Sequence, residues 1–174
     1  MAEVTAQLDR AFIERYAKRL LAVWNKHDTT DLPELLTEDV IWIDPALVEP
    51  AHGVEGVRRF MEDCFRSVPD LRFDVTGSSC FADDAPVVMV PWRMTGTHLG
   101  RTGPPGYAPT GRRMDIEGVD VYTFRGQRVA RYRACYDNAA LARQLGILPA
   151  RGSRGERISV AVQRLQARLH ARRG

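Results

Sequence analysis

Apolar positions near the start of the chain recur at helical spacing. Phe12, Tyr16, Leu20, Val23, Trp24 and His27 fall three and four apart, which predicts an amphipathic helix over residues 3–27. Asp28-Thr-Thr-Asp31 breaks it, and Asp31 is placed to cap a short helix over 32–36 with Pro33 in its first turn. The period then changes to two. Val40-Ile-Trp-Ile-Asp-Pro45 reads as a strand with Trp42 and Asp44 on one face and Pro45 ending it. Val57, Phe60, Met61, Cys64 and Phe65 mark a second amphipathic helix after Gly53. Strands follow over 72–76 and 87–98, the second carrying Pro91, which predicts an edge or a bulge there.

A glycine- and proline-rich segment, 99–110, is long enough for a lid. Residues 111–124 and 128–136 form a hairpin across Arg125-Gly126-Gln127, where Gly126 can supply a positive φ. Two helices, a strand, a helix and four further strands predict an α+β fold. Its sheet is curved and mostly antiparallel, a cone closed on one side by the N-terminal helices, with a pocket between them. Residues 1–150 make this domain. Residues 151–174 form a basic extension, with a helix through Ile158, Val162, Leu165 and Leu169.

Composition narrows the function. Hydrophobic content of 44% and charged content of 27% are those of an ordinary globular protein. The net charge of +3 is unevenly spread: seven arginines against Glu156 from Arg151 onward leave about −3 for residues 1–150. A nucleic-acid-binding face on the main domain is therefore not expected, and the arginines of the tail are expected to form a solvated face, with binding to an anionic surface or a partner as the minority reading. No membrane span and no signal peptide are expected from the apolar runs or from residues 1–10. Cys64, Cys80 and Cys135 are widely spaced with no Cys-x-x-Cys pair, which suits a reducing cytoplasm and gives no zinc pattern. P-loop, dinucleotide, zincin and nucleophile-elbow motifs are absent from the sequence.

Asp137 stands where the last strand gives way to a new element. Such an acid can cap a helix, lie solvated, or act as base or acid at the mouth of a pocket. Asp44 and Arg93 are candidate companions. If the three converge, the guanidinium keeps one carboxylate ionised while burial and like charge raise the other. Trp42, Trp92 and Tyr122 suit core or pocket walls. His98, at the mouth of the long loop, is either a surface histidine or a rim donor. Cys135 shares the strand face of Asp137 and is a candidate wall.

The layout resembles the nuclear-transport-factor-2-like fold, and within it the SnoaL-like polyketide cyclases. The segments that carry this are Asp39-Val-Ile-Trp42, Asp44-Pro45, His52-Gly53, Val68-Pro-Asp-Leu-Arg-Phe73, Thr95-Gly-Thr-His-Leu-Gly100, Pro109-Thr-Gly-Arg112 and Tyr136-Asp137 ahead of Gln144-Leu-Gly146. The resemblance implies a general acid/base at Asp137, an intramolecular aldol closure, no metal or cofactor, a small apolar substrate and a homodimer. The Pro-Thr-Gly-Arg stretch and the ending from Arg133 to Asp137 are also similar to limonene-1,2-epoxide hydrolase. There Arg93 and Asp137 match an arginine and an aspartate of its relay, Thr95 replaces the other aspartate, and Trp42 and Asp44 stand where tyrosine and asparagine would hold water. Three functions follow as expectations: a cyclase or isomerase, an epoxide hydrolase, or a non-catalytic binding or dimerising module.

Overall fold

The structure, a computed structural model, describes residues 9–103 and 106–171. The helix expected over 3–27 is α1, Arg10–Lys26, and the start expected for it at 3–8 lies outside the described residues. The Asp9 carboxylate accepts from the Phe12 amide at 2.6 Å and caps the helix. His27 ends it in a left-handed turn, φ 54°, its ring stacked on Phe65 and 3.2 Å from the Leu71 carbonyl. Ile13, Tyr16, Leu20, Val23 and Trp24 are buried along one side of α1 and join the core.

The remaining elements are α2 (Leu32–Leu35), β1 (Leu36–Ile43), β2 (Ala51–His52), α3 (Gly53–Ser67), β3 (Arg72–Val75), β4 (Cys80–Phe81), β5 (Val87–Thr97), β6 (Arg113–Arg125), β7 (Arg128–Tyr136), α4 (Asn138–Gln144) and α5 (Arg154–Ala171). One curved, unclosed sheet runs β2-β1-β7-β6-β5-β3, with β4 also on β5. All pairs are antiparallel except β1 with β7, which run parallel. The fold is the expected α+β, nuclear-transport-factor-2-like arrangement. The additions are the two short strands β2 and β4, and β1 begins four residues earlier than its alternation suggests.

Pro91 sits inside β5, opposite Val119 of β6. Its carbonyl accepts from the Thr76 amide, so its nitrogen faces the same way, into the gap where β3 ends and β4 begins. No ladder bond to β6 is lost, which is why a proline is tolerated in a long inner strand. At the other end β7 stops level with Gly118. Beyond it the Gln144 side chain takes the missing strand's role: its oxygen accepts from the Asp115 amide at 2.7 Å and its nitrogen donates to the Asp115 carbonyl at 2.9 Å.

The loop expected as a lid is pinned at both ends. The amides of Leu99 and Gly100 donate to the Ser67 carbonyl, and a β-carbon at Gly100 would collide with the Arg66 carbonyl. His98 is fully buried beneath the loop, a correction to its expected place on the surface or the rim of a pocket. Thr110 Oγ1 donates to the Leu145 carbonyl at 2.6 Å and so accepts from His98 Nδ1. Thr102 Oγ1 and His98 Nε2 are hydrogen-bonded at 2.8 Å. The chain of hydroxyls fixes the ring and ties the loop to the body.

Candidate active site

Strand β6 alternates strictly. Met114, Ile116, Asp120, Tyr122 and Phe124 are buried on the concave face, against α1 and the neighbouring strands. An aspartate therefore occupies a core position. Asp120 is 6% exposed and accepts three hydrogen bonds: Trp92 Nε1 at 2.6 Å and Tyr132 OH at 2.7 Å on Oδ1, and Tyr122 OH at 2.8 Å on Oδ2. No cation contacts it among the described residues. Burial pushes its pKa up to about 7, and the three donors offset only part of that. The nearby Asp44 carboxylate pushes in the same direction.

Gly118 makes this arrangement possible. A β-carbon there would lie 2.5 Å from the Trp92 ring carbons Cζ2 and Cη2 and 2.9 Å from the Cys135 carbonyl. The bare backbone leaves a slot in which the indole lies across β6 and brings its N–H to Asp120.

Asp44 follows β1 on the side of Trp42. Its Oδ1 accepts from Tyr136 OH at 2.8 Å and from the Ala46 amide at 2.8 Å. Burial raises its pKa, against the pull of those two donors. The Cys64 thiol is raised by burial first and by Asp44 second, so it is no thiolate nucleophile. Trp42 is fully buried and stacked on Tyr132, ring centroids 3.5 Å apart. Trp92 and Tyr136 meet edge to face at 5.8 Å and link the surroundings of the two carboxylates.

Two hollows lie between α1 and the β3–β4 edge of the sheet. An open cleft of about 340 Å³ is lined by Arg10, Glu14, Lys18, Leu21, Ser79 and Phe81 among others. It shares Ala17, Leu21, Val75 and Val90 with an inner chamber of about 20 Å³. That chamber ends on Trp92, Asp120 and Tyr122 and has room for about one water. Trp24 and Phe73 also line it.

The expected trio does not assemble. Asp137 is exposed, and its carboxylate accepts from the Ala140 amide at 2.8 Å as the N-cap of α4. Arg93 points out of the convex face of the sheet, where it grips the Asp115 carboxylate through Nε at 2.7 Å and through its terminal amine. Only Asp44 of the three reaches the interior. Cys135 is exposed as well, because it shares the outward face by alternation. The hydrolase-like relay of Arg93 and Asp137 has no shared cavity for the same reason. Trp42, Trp92 and Tyr122 are buried in the core, and the last two are bonded to the unforeseen Asp120. Among the described residues no group of three His, Cys, Asp or Glu side chains could hold a metal ion. No helix among them is long and apolar enough to cross a membrane.

The sequence model of the SnoaL-like polyketide cyclases matches residues 14–145, from α1 through α4. The chain belongs to the SnoaL-like polyketide cyclase family. Solved structures agree on the fold of this cyclase-family member. It is similar to TsrD from Streptomyces laurentii, 23% identical over 81% of this chain and 99% of that one, with a TM-score of 0.69. It is also similar to AclR from Streptomyces galilaeus, a candidate hydroxylase, 22% identical over 95% of this chain and 98% of the other, TM-score 0.66. A third likeness is IdmH from Streptomyces antibioticus, a candidate polyketide cyclase, 22% identical over 76% of this chain and 97% of the other, TM-score 0.62. No curated protein sequence matches the chain. Membership supports an enzyme of cyclase or isomerase type.

Proposed function

We propose that this SnoaL-like protein is an acid–base enzyme acting on a small, apolar, carbonyl-bearing substrate of polyketide type, with Asp120 as the group that carries the proton. One observation supports this above the others: a carboxyl raised to about 7 by burial at the inner end of a cleft. A group with that pKa is present in both protonation states at neutral pH, which general acid–base catalysis requires.

Asp120 Oδ2 accepts a single donor, against two on Oδ1, so it has the spare lone pair for a substrate proton. In the proposed reaction the carboxylate removes a proton from a carbon next to a carbonyl. The electron pair left behind forms an enolate. In a cyclisation the enolate carbon bonds to a second carbonyl carbon, and Asp120 returns the proton to the new alkoxide. In an isomerisation it returns the proton to another carbon. Electrons move only within the substrate, so the scheme asks for no cofactor. Asp44, also raised by burial, is the second buried acid near Asp120, and its charge helps to hold the Asp120 proton. The inner chamber must widen to admit a reacting carbonyl, and Trp24, Phe73 and Leu21 are the side chains that stand in its way.

The closeness of that packing favours a second reading, in which Asp120 is a polar brace of a non-catalytic binding domain. Hydrogen–deuterium exchange at carbons next to the carbonyls of fused-ring polyketides, followed by NMR in D2O, separates the two. The enzyme reading expects exchange that depends on the wild-type protein and falls at least about 100-fold in Asp120→Asn. If Asp120→Asn does not fold, Trp92→Phe takes its place, with the acid limb of the exchange profile moved to higher pH. Exchange that ignores both substitutions, or none with wild type, overturns the assignment.

A further inference from the structure

Helix α5 runs for 18 residues without one buried side chain. Ile158, Val162, Leu165 and Leu169 are all about half or more exposed. At 100° per residue they fall within an arc of about 60°. A single helix of this length, with its apolar stripe in water, has little to hold it together. The stripe is narrow, the seam of a two-helix coil, while a helix lying on a membrane presents a broad apolar face.

We propose that α5 pairs head to tail with the same helix of a second copy of this chain. The seam is self-complementary. Its spacings of four, three and four read the same from either end. Two antiparallel copies therefore stack Ile158 on Leu169 and Val162 on Leu165, each twice, in four layers about a two-fold axis.

The charges fit the same partner. Arg154, Arg157, Arg164 and Arg168 lie along one flank of the stripe, and Ser159, Gln163 and Gln166 lie along the other. In the head-to-tail pair Arg168 comes beside Ala161 of the second copy, and Ser159 beside Gln166. A parallel pair would align the helix dipoles unfavourably. With one acid, Glu156, on each helix, both partners are cationic. Salt screens their repulsion and strengthens a self-pair, whereas it weakens binding to an acidic helix or an anionic lipid surface.

The test uses the full chain with the exposed thiols removed, as Cys80→Ser/Cys135→Ser. Val162→Cys and Leu165→Cys are made separately on this background, then mixed under mild oxidation. The expected result is a covalent dimer from the mixture, several-fold more abundant than from either variant alone, with a yield that rises between 50 and 500 mM NaCl. Light scattering should give a dimer mass for the unmodified chain, and Val162→Glu should weaken the dimer at least about tenfold. Self-crosslinking of Leu165→Cys alone, a yield that falls with salt, or a monomer mass with no crosslink overturns the proposal.

Discussion

Asp115 and Asp120 lie five residues apart on β6, and the odd spacing sends them to opposite faces of the sheet. Each accepts more than one hydrogen bond. The Arg93 guanidinium grips Asp115 at the surface and holds its carboxyl below the usual range. Asp120 is buried with only neutral donors, and its carboxyl sits far above that range. The number of hydrogen bonds does not decide the outcome. Burial without a compensating cation does. A strand can thus carry a structural ion pair and a proton-exchanging group within two turns of the pleat, and the face each residue takes is what separates them.

The largest effect that tests this contrast is on stability. Asp120 takes up a proton in the native state at pH values where the unfolded chain has released it. Its contribution is complete below about pH 4, declines as pH rises, and is lost above about pH 7. A shift from 3.8 to about 7 corresponds to about 4 kcal/mol. Urea unfolding of wild type and Asp120→Asn across pH 4–8 should show a difference of that order falling with pH. A flat difference would mean that the carboxyl titrates as if exposed.

A smaller effect is expected at Asp137. Asp137→Ala removes the cap of α4 and should cost about 1 kcal/mol, with the exchange activity proposed for Asp120 kept within about twofold. A large loss of activity would return the catalytic role to this position. The smallest effect belongs to the surface pair. Arg93→Gln should lower Tm by about 2 °C or less at low salt, and by less still in 0.5 M NaCl.

Most of the architecture was legible in the residues. Helical spacing marked α1, α3 and α5, alternation marked the long strands, and Gly126 marked the turn between β6 and β7. The parallel pairing of β1 with β7 was not, because it joins segments about 90 residues apart and depends on the curvature of the whole sheet. The site was legible only in part. Asp137 satisfies the pattern of a helix cap and that of a catalytic acid equally well, and only the fold shows which way its carboxylate turns. Asp120 did leave a signal. Met114, Ile116, Asp120, Tyr122 and Phe124 share one strand face, and an acid in such an apolar series has to be paired, neutralised or functional. Arg93 sits one residue after Trp92, so when the indole faces inward the guanidinium cannot.

The slot at Gly118 makes one residue without a functional group a governor of acidity elsewhere. Enlarging it would crowd out the indole and with it a donor to Asp120, so the carboxyl would hold its proton to still higher pH. Positions 92 and 118 can therefore drift only as a couple: a bulkier residue in one demands a slimmer residue in the other, and the proton affinity of the interior moves with the exchange.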